Sequence, residues 1–462
     1  MKKILGTILI LAIVMACCMT VFVACDKTTT DYEHTIVFYS SQGDSLQQVT
    51  QNAIRSFEAK FPGWKVEHVQ VGGYDDVKEK IISDFQGNQQ PDLAYCYADH
   101  VAQYLQTSKV YDLNTLINST QTVTGANDVA YPIGYTTEEV TDFVSGYYNE
   151  GYASNYGDYE KYGYSAESML TLPFVKSTEL MYYNKTALDK LGFKPATTWD
   201  ELWEQCAALK EEYPTATPLA YDSEANWFIT TCQQNGWGYT SATAGNHYLF
   251  NNADTTAWLT KLNEYYNLGY ITTQEEYGAY TSALFTKGAE NGGAIYCIGS
   301  SGGASHQDPN GAFKYGVAPI PASGSEPGQN AAISQGPSLV MFEAGNGVTN
   351  IDEKKIMTFM FVKELLDPTF QAAFAIASGY NPCRNSTFEL DTYAEHMESD
   401  NITAISANVA ASMKDRFFTS PAFVGSSTAR VQVGNVLLYS LTGRKTPSKA
   451  LSDAINNCGG NR

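Results

Sequence analysis

The chain has 462 residues, 44% of them hydrophobic and 13% aromatic, and a formal net charge of −20. A chain of this length and composition buries a large core in about two domains or more and is not a disordered polymer. Its acidic excess repels nucleic acid and anionic lipid, which excludes DNA, RNA and a polybasic mode of membrane attachment.

The first element is Lys2-Lys3 followed by an apolar run from Ile4 to Ala24, then Cys25 and the polar Asp26-Lys27-Thr28-Thr29-Thr30. This reads as a secretion signal over 1–24 and a linker over 25–34. Phe22-Val23-Ala24-Cys25 resembles a bacterial lipobox, with Phe22 where Leu is usual, so Cys25 is the expected lipidated N-terminus. Val14-Met15-Ala16-Cys17 is a second match, but apolar residues rather than a linker follow it. The competing reading is an uncleaved anchor, because about 20 apolar residues span a bilayer. Both readings tether the chain outside the cytoplasmic membrane.

Next, Thr35-Ile36-Val37-Phe38-Tyr39 reads as a strand, and Val49, Ile54, Phe57 and Phe61 mark a helix that Pro62-Gly63 stops. Trp64 to Val69 alternates as a second strand, 74–87 as a helix, Pro91 to Cys96 as a strand and 99–107 as a helix. Strands alternating with helices of this length predict parallel βαβ units. The tyrosine-rich tract over 131–164 reads as packed helix surface. Thr198-Trp199-Asp200-Glu201 is a capping box that starts another helix. Six cysteines follow Cys25 (Cys96, Cys206, Cys232, Cys297, Cys383 and Cys458); without a C-x-x-C or His/Cys cluster they predict no zinc site, and buried thiols or disulfides both remain open.

The stretch "LPFVKSTELMYYNKTALDKLGFKPATTWDEL", Leu172 to Leu202, resembles the signature of extracellular solute-binding proteins that feed ABC importers, family 1, the class containing maltose- and glycerol-3-phosphate-binding proteins. "FYSSQGD" at 38–44, "PDLAY" at 91–95, "FKYGVAPIP" at 313–321, "SGYNPCR" at 378–384 and "LTGRKTPSKAL" at 441–451 extend the likeness over nearly the whole mature chain. The resemblance implies an α/β, two-lobed periplasmic-binding-protein-like (type II) fold that closes on a ligand by a hinge. It implies lobes of 35–172 plus 299–345 and of 173–298 plus 346–462, with crossings near Pro173, Ile298 and 345. It further implies a small polyol phosphate or sugar as ligand, ABC permease subunits as partners, a monomer, no cofactor and no catalysis.

The segment Gly293 to Gly303, "GAIYCIGSSGG", reads as a strand entering a glycine- and serine-rich turn that formally matches G-x-S-x-G. A serine hydrolase would present Ser301 there, with an acid and then a histidine downstream. Only His306 and His396 follow, and His396 sits in an ordinary helical pattern. No Lys-Ser/Thr follows the glycines, which excludes a P-loop. Ligand-holding amides or a plain turn remain.

Within the family, the glycerol-3-phosphate-binding branch gives the best match, and its ligand set falls on Tyr74, Ser177, Ser301, Gly336, Tyr380 and Arg430. An acidic contact expected just after "AYCY" is unmatched: Ala98 stands there, with Asp99 one place on. Such a set suits a phosphate-bearing polyol, since the planar fork of Arg430 takes two phosphate oxygens and charge-assisted bonds are the stronger ones. Trp227 and Tyr97 are further candidates, because sugar C–H faces stack on flat rings. The competing readings are structural: a salt bridge for Arg430, a turn hydroxyl for Ser177, a positive-φ position for Gly336 and a helix cap for Asp99.

Overall fold

The computed structural model describes residues 32–41, 43–243, 245–345 and 347–460. The expected signal segment and Cys25 lie outside them. The chain opens with β1 (Thr35–Ser40), α1 (Asp44–Lys60), β2 (Lys65–Gln70), α2 (Tyr74–Gly87), β3 (Leu93–Cys96) and α3 (Ala98–Tyr104). β1 lies between β2 and β3 and runs parallel to both, the pairing that helical crossovers require. Successive side chains face opposite cores. Phe38 and Tyr95 pack with Phe57 and Phe361, while Tyr39, Ala94 and Cys96 pack with Val77 and Val101. Both faces of β1 and β3 are dry, which explains why those two strands are mostly apolar, whereas β2 (KVEHVQ) is partly exposed.

Short helical turns occupy much of 105–171 before β4 (Leu172–Pro173) rejoins the first sheet. The chain then crosses to a second sheet built from β5 (Glu179–Asn184), β6 (Thr217–Tyr221), β7 (Ile271–Thr273), β8 (Ala294–Ser300) and β9 (Tyr315–Pro319), in the order β7-β6-β8-β5-β9. Helices α4 (Trp199–Glu212), α5 (Glu224–Asn235) and α6 (Ala253–Asn267) connect these strands. α4 starts at the predicted capping box: the Thr198 hydroxyl accepts from the Glu201 amide at 3.2 Å and the Glu201 carboxylate accepts from the Thr198 amide at 3.3 Å.

β10 (Ser338–Met341) returns to the first sheet and lies antiparallel between β3 and β4. α7 (Ile351–Leu365) and α8 (Pro368–Ser378) add Phe359, Phe361 and Phe374 to the first core, whereas α9 (Ile402–Ser412), α10 (Ser426–Leu441) and α11 (Pro447–Asn457) pack on the second. The architecture is α/β with two lobes, each with its own five-stranded sheet.

The pairing departs from the expected placing of residues 299–345 with the first lobe and 346–462 with the second. β9 pairs with β5 along the second sheet, and α7 and α8 bury their aromatic faces in the first core. β8 is an interior strand held by β6 and β5 rather than a lobe crossing. The crossings fall between β4 and β5, before β10, and between α8 and α9.

The six cysteines of the described residues are free thiols, five of them buried. Among the described residues no helix is long and apolar enough to cross a membrane, and no cluster of three or more His, Cys, Asp or Glu side chains is placed to hold a metal.

Candidate ligand-binding cleft

Two crossing segments make the floor between the lobes. Ser177 and Gln335 exchange backbone hydrogen bonds of 2.9 and 2.8 Å, so the outgoing and returning chains are stitched together. Gly336 follows at φ +95°, and a Cβ there would lie 2.4 Å from the Val175 carbonyl oxygen. Only glycine fits that backbone, which is the structural reading of Gly336.

Above this floor lies a cavity of about 50 Å³. Tyr97 and Asp99, at the start of α3, supply one wall; Ser420 and Arg430, from the second lobe, supply the facing one. Lys176, Gln335 and Gly336 line the floor, with Glu150 beside them. Arg430 bridges the lobes: its Nε donates to Asp99 at 3.2 Å, and its two terminal nitrogens donate to Asn226 at 2.6 Å and Ser420 at 3.3 Å. Behind it, Asn226 also bonds Glu179, whose carboxylate accepts from the Tyr221 hydroxyl at 2.6 Å. Burial pushes the Glu179 carboxyl up to about 8, against the lowering effect of Tyr221, Asn226 and Arg430. Burial likewise pushes up the Cys96 thiol on the cavity wall.

A tyrosine cluster flanks the cavity. Tyr74 and Tyr97 stack with ring centroids 4.3 Å apart, and the Tyr74 and Tyr380 hydroxyls meet at 3.4 Å. The Tyr380 ring lies against Gly302 so closely that a Cβ on Gly302 would overlap it at 2.4 Å. A second tie between lobes lies outside the cavity, where the buried Lys78 amine donates to Ser427 at 2.8 Å and to Asp75 at 2.9 Å. Hydrogen bonds from His100 and Lys78 hold the Asp75 carboxyl well below the usual carboxylate range.

Of the residues expected from sequence, Asp99, Gly336 and Arg430 line the cavity, and Tyr74 and Tyr380 join it through Tyr97. The Ser177 hydroxyl accepts from Ser300 at 3.3 Å, beside the floor. Two expectations are corrected. Trp227 is 1% exposed and stacks on Tyr221 at 4.6 Å within the second core, because α5 turns it inward against the sheet. Ser301 is fully buried, and its hydroxyl accepts from the Thr178 amide at 3.3 Å. The side chain that caps the turn is Ser300, which accepts from the Gly302 amide at 3.1 Å. A nucleophile elbow projects its serine outward; here it points into protein.

A sequence model of the family of bacterial extracellular solute-binding proteins matches residues 52–400. The chain belongs to that family. Among relatives of this solute-binding protein, the sn-glycerol-3-phosphate-binding periplasmic protein UgpB of Escherichia coli K12 is 24% identical over 438 residues, 91% of each chain. UgpB from Mycobacterium tuberculosis, solved in complex with glycerophosphocholine, superposes with a TM-score of 0.72 at 18% identity, covering 92% of this chain and 97% of that one. A maltose-bound T. maritima protein gives 0.70 at 16% identity, covering 92% and 99%. These likenesses show the same fold.

The sequence reading of this solute-binding protein missed Lys176, Glu150 and Gln335. Lys176 did carry a signal: a charged residue directly after the apolar run Leu172 to Val175 must find a partner when buried. Glu150 comes from the tyrosine-rich tract, where no spacing sets it apart.

Proposed function

We propose that this solute-binding protein is the extracytoplasmic receptor of an ABC importer, tethered by a lipid on Cys25, and that it delivers a polyol phosphate, glycerol-3-phosphate or a glycerophosphodiester, to the permease. The observation that carries this reading is the cavity between the lobes, which gathers Lys176 and Arg430, each paired with a carboxylate (Glu150 and Asp99), with hydroxyls and a tight glycine turn. Such a set offers several donors to phosphate oxygens at close range. Expected ligand contacts are Tyr74, Asp99, Gly336, Tyr380 and Arg430, with Ser177 at the margin.

The tyrosine cluster of Tyr74, Tyr97 and Tyr380 favours a second reading, a neutral oligosaccharide. Calorimetric titration of the mature protein with sn-glycerol-3-phosphate, glycerophosphocholine and maltose separates the two. Heat with either phosphate compound is expected; heat with maltose alone would replace the phosphate reading with the sugar one.

A further inference from the structure

Lys176 is 4% exposed, yet among the described residues its amine has one hydrogen-bond acceptor, the Glu150 carboxylate. An ammonium carries three donors, and a buried donor without an acceptor costs free energy. The remaining donors belong to a residue on the cavity floor, as does Gln335, whose Oε1 atom is buried without a hydrogen-bond partner among the described residues. The Lys176 ammonium also lies 5.9 Å from the centroid of the Tyr147 ring, a contact that takes none of its donors to a hydrogen-bond acceptor, so the floor presents unused donors and an unused acceptor.

Arg430 stands differently. All three guanidinium nitrogens are engaged by Asp99, Asn226 and Ser420, two of these on the second lobe and one on the first. Its geometry is that of a tie between lobes. Glu150, in turn, accepts from Ser334 at 3.3 Å, and so is steadied where it competes for Lys176.

We propose that Lys176 is the specificity-determining cation of the cleft: it takes the ligand's negatively charged group, Glu150 is the internal carboxylate that this group displaces, and Gln335 accepts from a ligand hydroxyl. The inference rests on the polyol-phosphate reading above and moves its anion from Arg430 to Lys176. An arriving phosphate exchanges one anionic partner of Lys176 for another, so the buried ammonium is never left unpaired.

The test is calorimetric titration of wild type, Lys176→Met and Glu150→Gln with sn-glycerol-3-phosphate, glycerophosphocholine and maltose, with thermal melts of each. Loss of one charge-assisted bond lowers affinity by roughly 10- to 100-fold. That loss is expected for Lys176→Met with the phosphate compounds, while Glu150→Gln, which removes the competitor, tightens them. Unchanged phosphate affinity in Lys176→Met, or weakened affinity in Glu150→Gln, overturns the inference and leaves the receptor reading standing. Wild type binding maltose but neither phosphate overturns the phosphate reading and this inference together. Should Lys176→Met fail to fold, the direction of the Glu150→Gln change decides alone.

Discussion

Trp227 stacks on Tyr221 and Trp199 inside the second lobe, at centroid distances of 4.6 and 5.8 Å. Trp227→Ala is therefore expected to destabilise folding by about 3–5 kcal/mol through lost burial and the cavity left behind. Ligand affinity should stay unchanged in the fraction that folds; urea melts and titration check the two separately, and a stable variant that has lost ligand would return Trp227 to the cleft. Glu179 bears on pH. Its carboxyl keeps its proton in the folded state up to about 8, whereas the unfolded chain releases it near 4.5. Between those values the folded state binds more protons, so this residue makes stability fall as pH rises, by on the order of a few kcal/mol across the window. Glu179→Gln should flatten that slope in urea melts taken at both ends of the window. An unaltered slope would mean that the carboxylate is ionised and paired throughout.

At the level of elements, the outgoing segment at Lys176-Ser177 and the return turn at Gly336 build the floor. Gly336→Ala forces a side chain into φ +95° and onto the Val175 carbonyl, and should cost about 1–3 kcal/mol as strain. Denaturation midpoints would show it; a neutral effect would mean that the crossing segments slide freely. The βαβ alternation of the first lobe and the Thr198 capping box were legible because both are local: period, breaker and cap lie within a few residues. The partners of β9 and β10 were not legible. Tyr315–Pro319 and Ser338–Met341 lie within 30 residues of each other yet join different sheets, and each finds its partner across more than 100 residues of sequence. Ser301 illustrates the same limit: a five-residue pattern names the turn, but only the Thr178 amide it meets decides which way the hydroxyl points.

Polar ties between the lobes include two made by side chains, Arg430 to Asp99 and Lys78 to Ser427, and a backbone bond from the Gly157 amide to the Ala422 carbonyl at 2.7 Å. Each is sheltered from solvent and so weakly screened by salt. Replacing both Arg430 and Lys78 by Met should leave each lobe folded and let the pair part, giving a larger radius of gyration in small-angle scattering. Identical scattering from the variant and wild type would show that these two side-chain ties are not needed to keep the cleft closed. The residues of the side-chain ties come from α2, α3 and α10, so no local pattern in the sequence announces them; Arg430 was found through family position, Asp99 only as the carboxylate one place past an unmatched family contact, and Lys78 was not found.

The reciprocal bonds between Ser177 and Gln335 have a consequence for the order of events. In any rotation of two bodies, points on the axis travel least. Lys176 and Gln335 sit on these linked segments, so a swing of the lobes about them would change their mutual spacing less than that of Asp99 and Arg430, which stand on facing walls. On the reading proposed above, the ligand would meet Lys176 at the pivot before the outer walls come together, so its charge would be read on arrival rather than after closure.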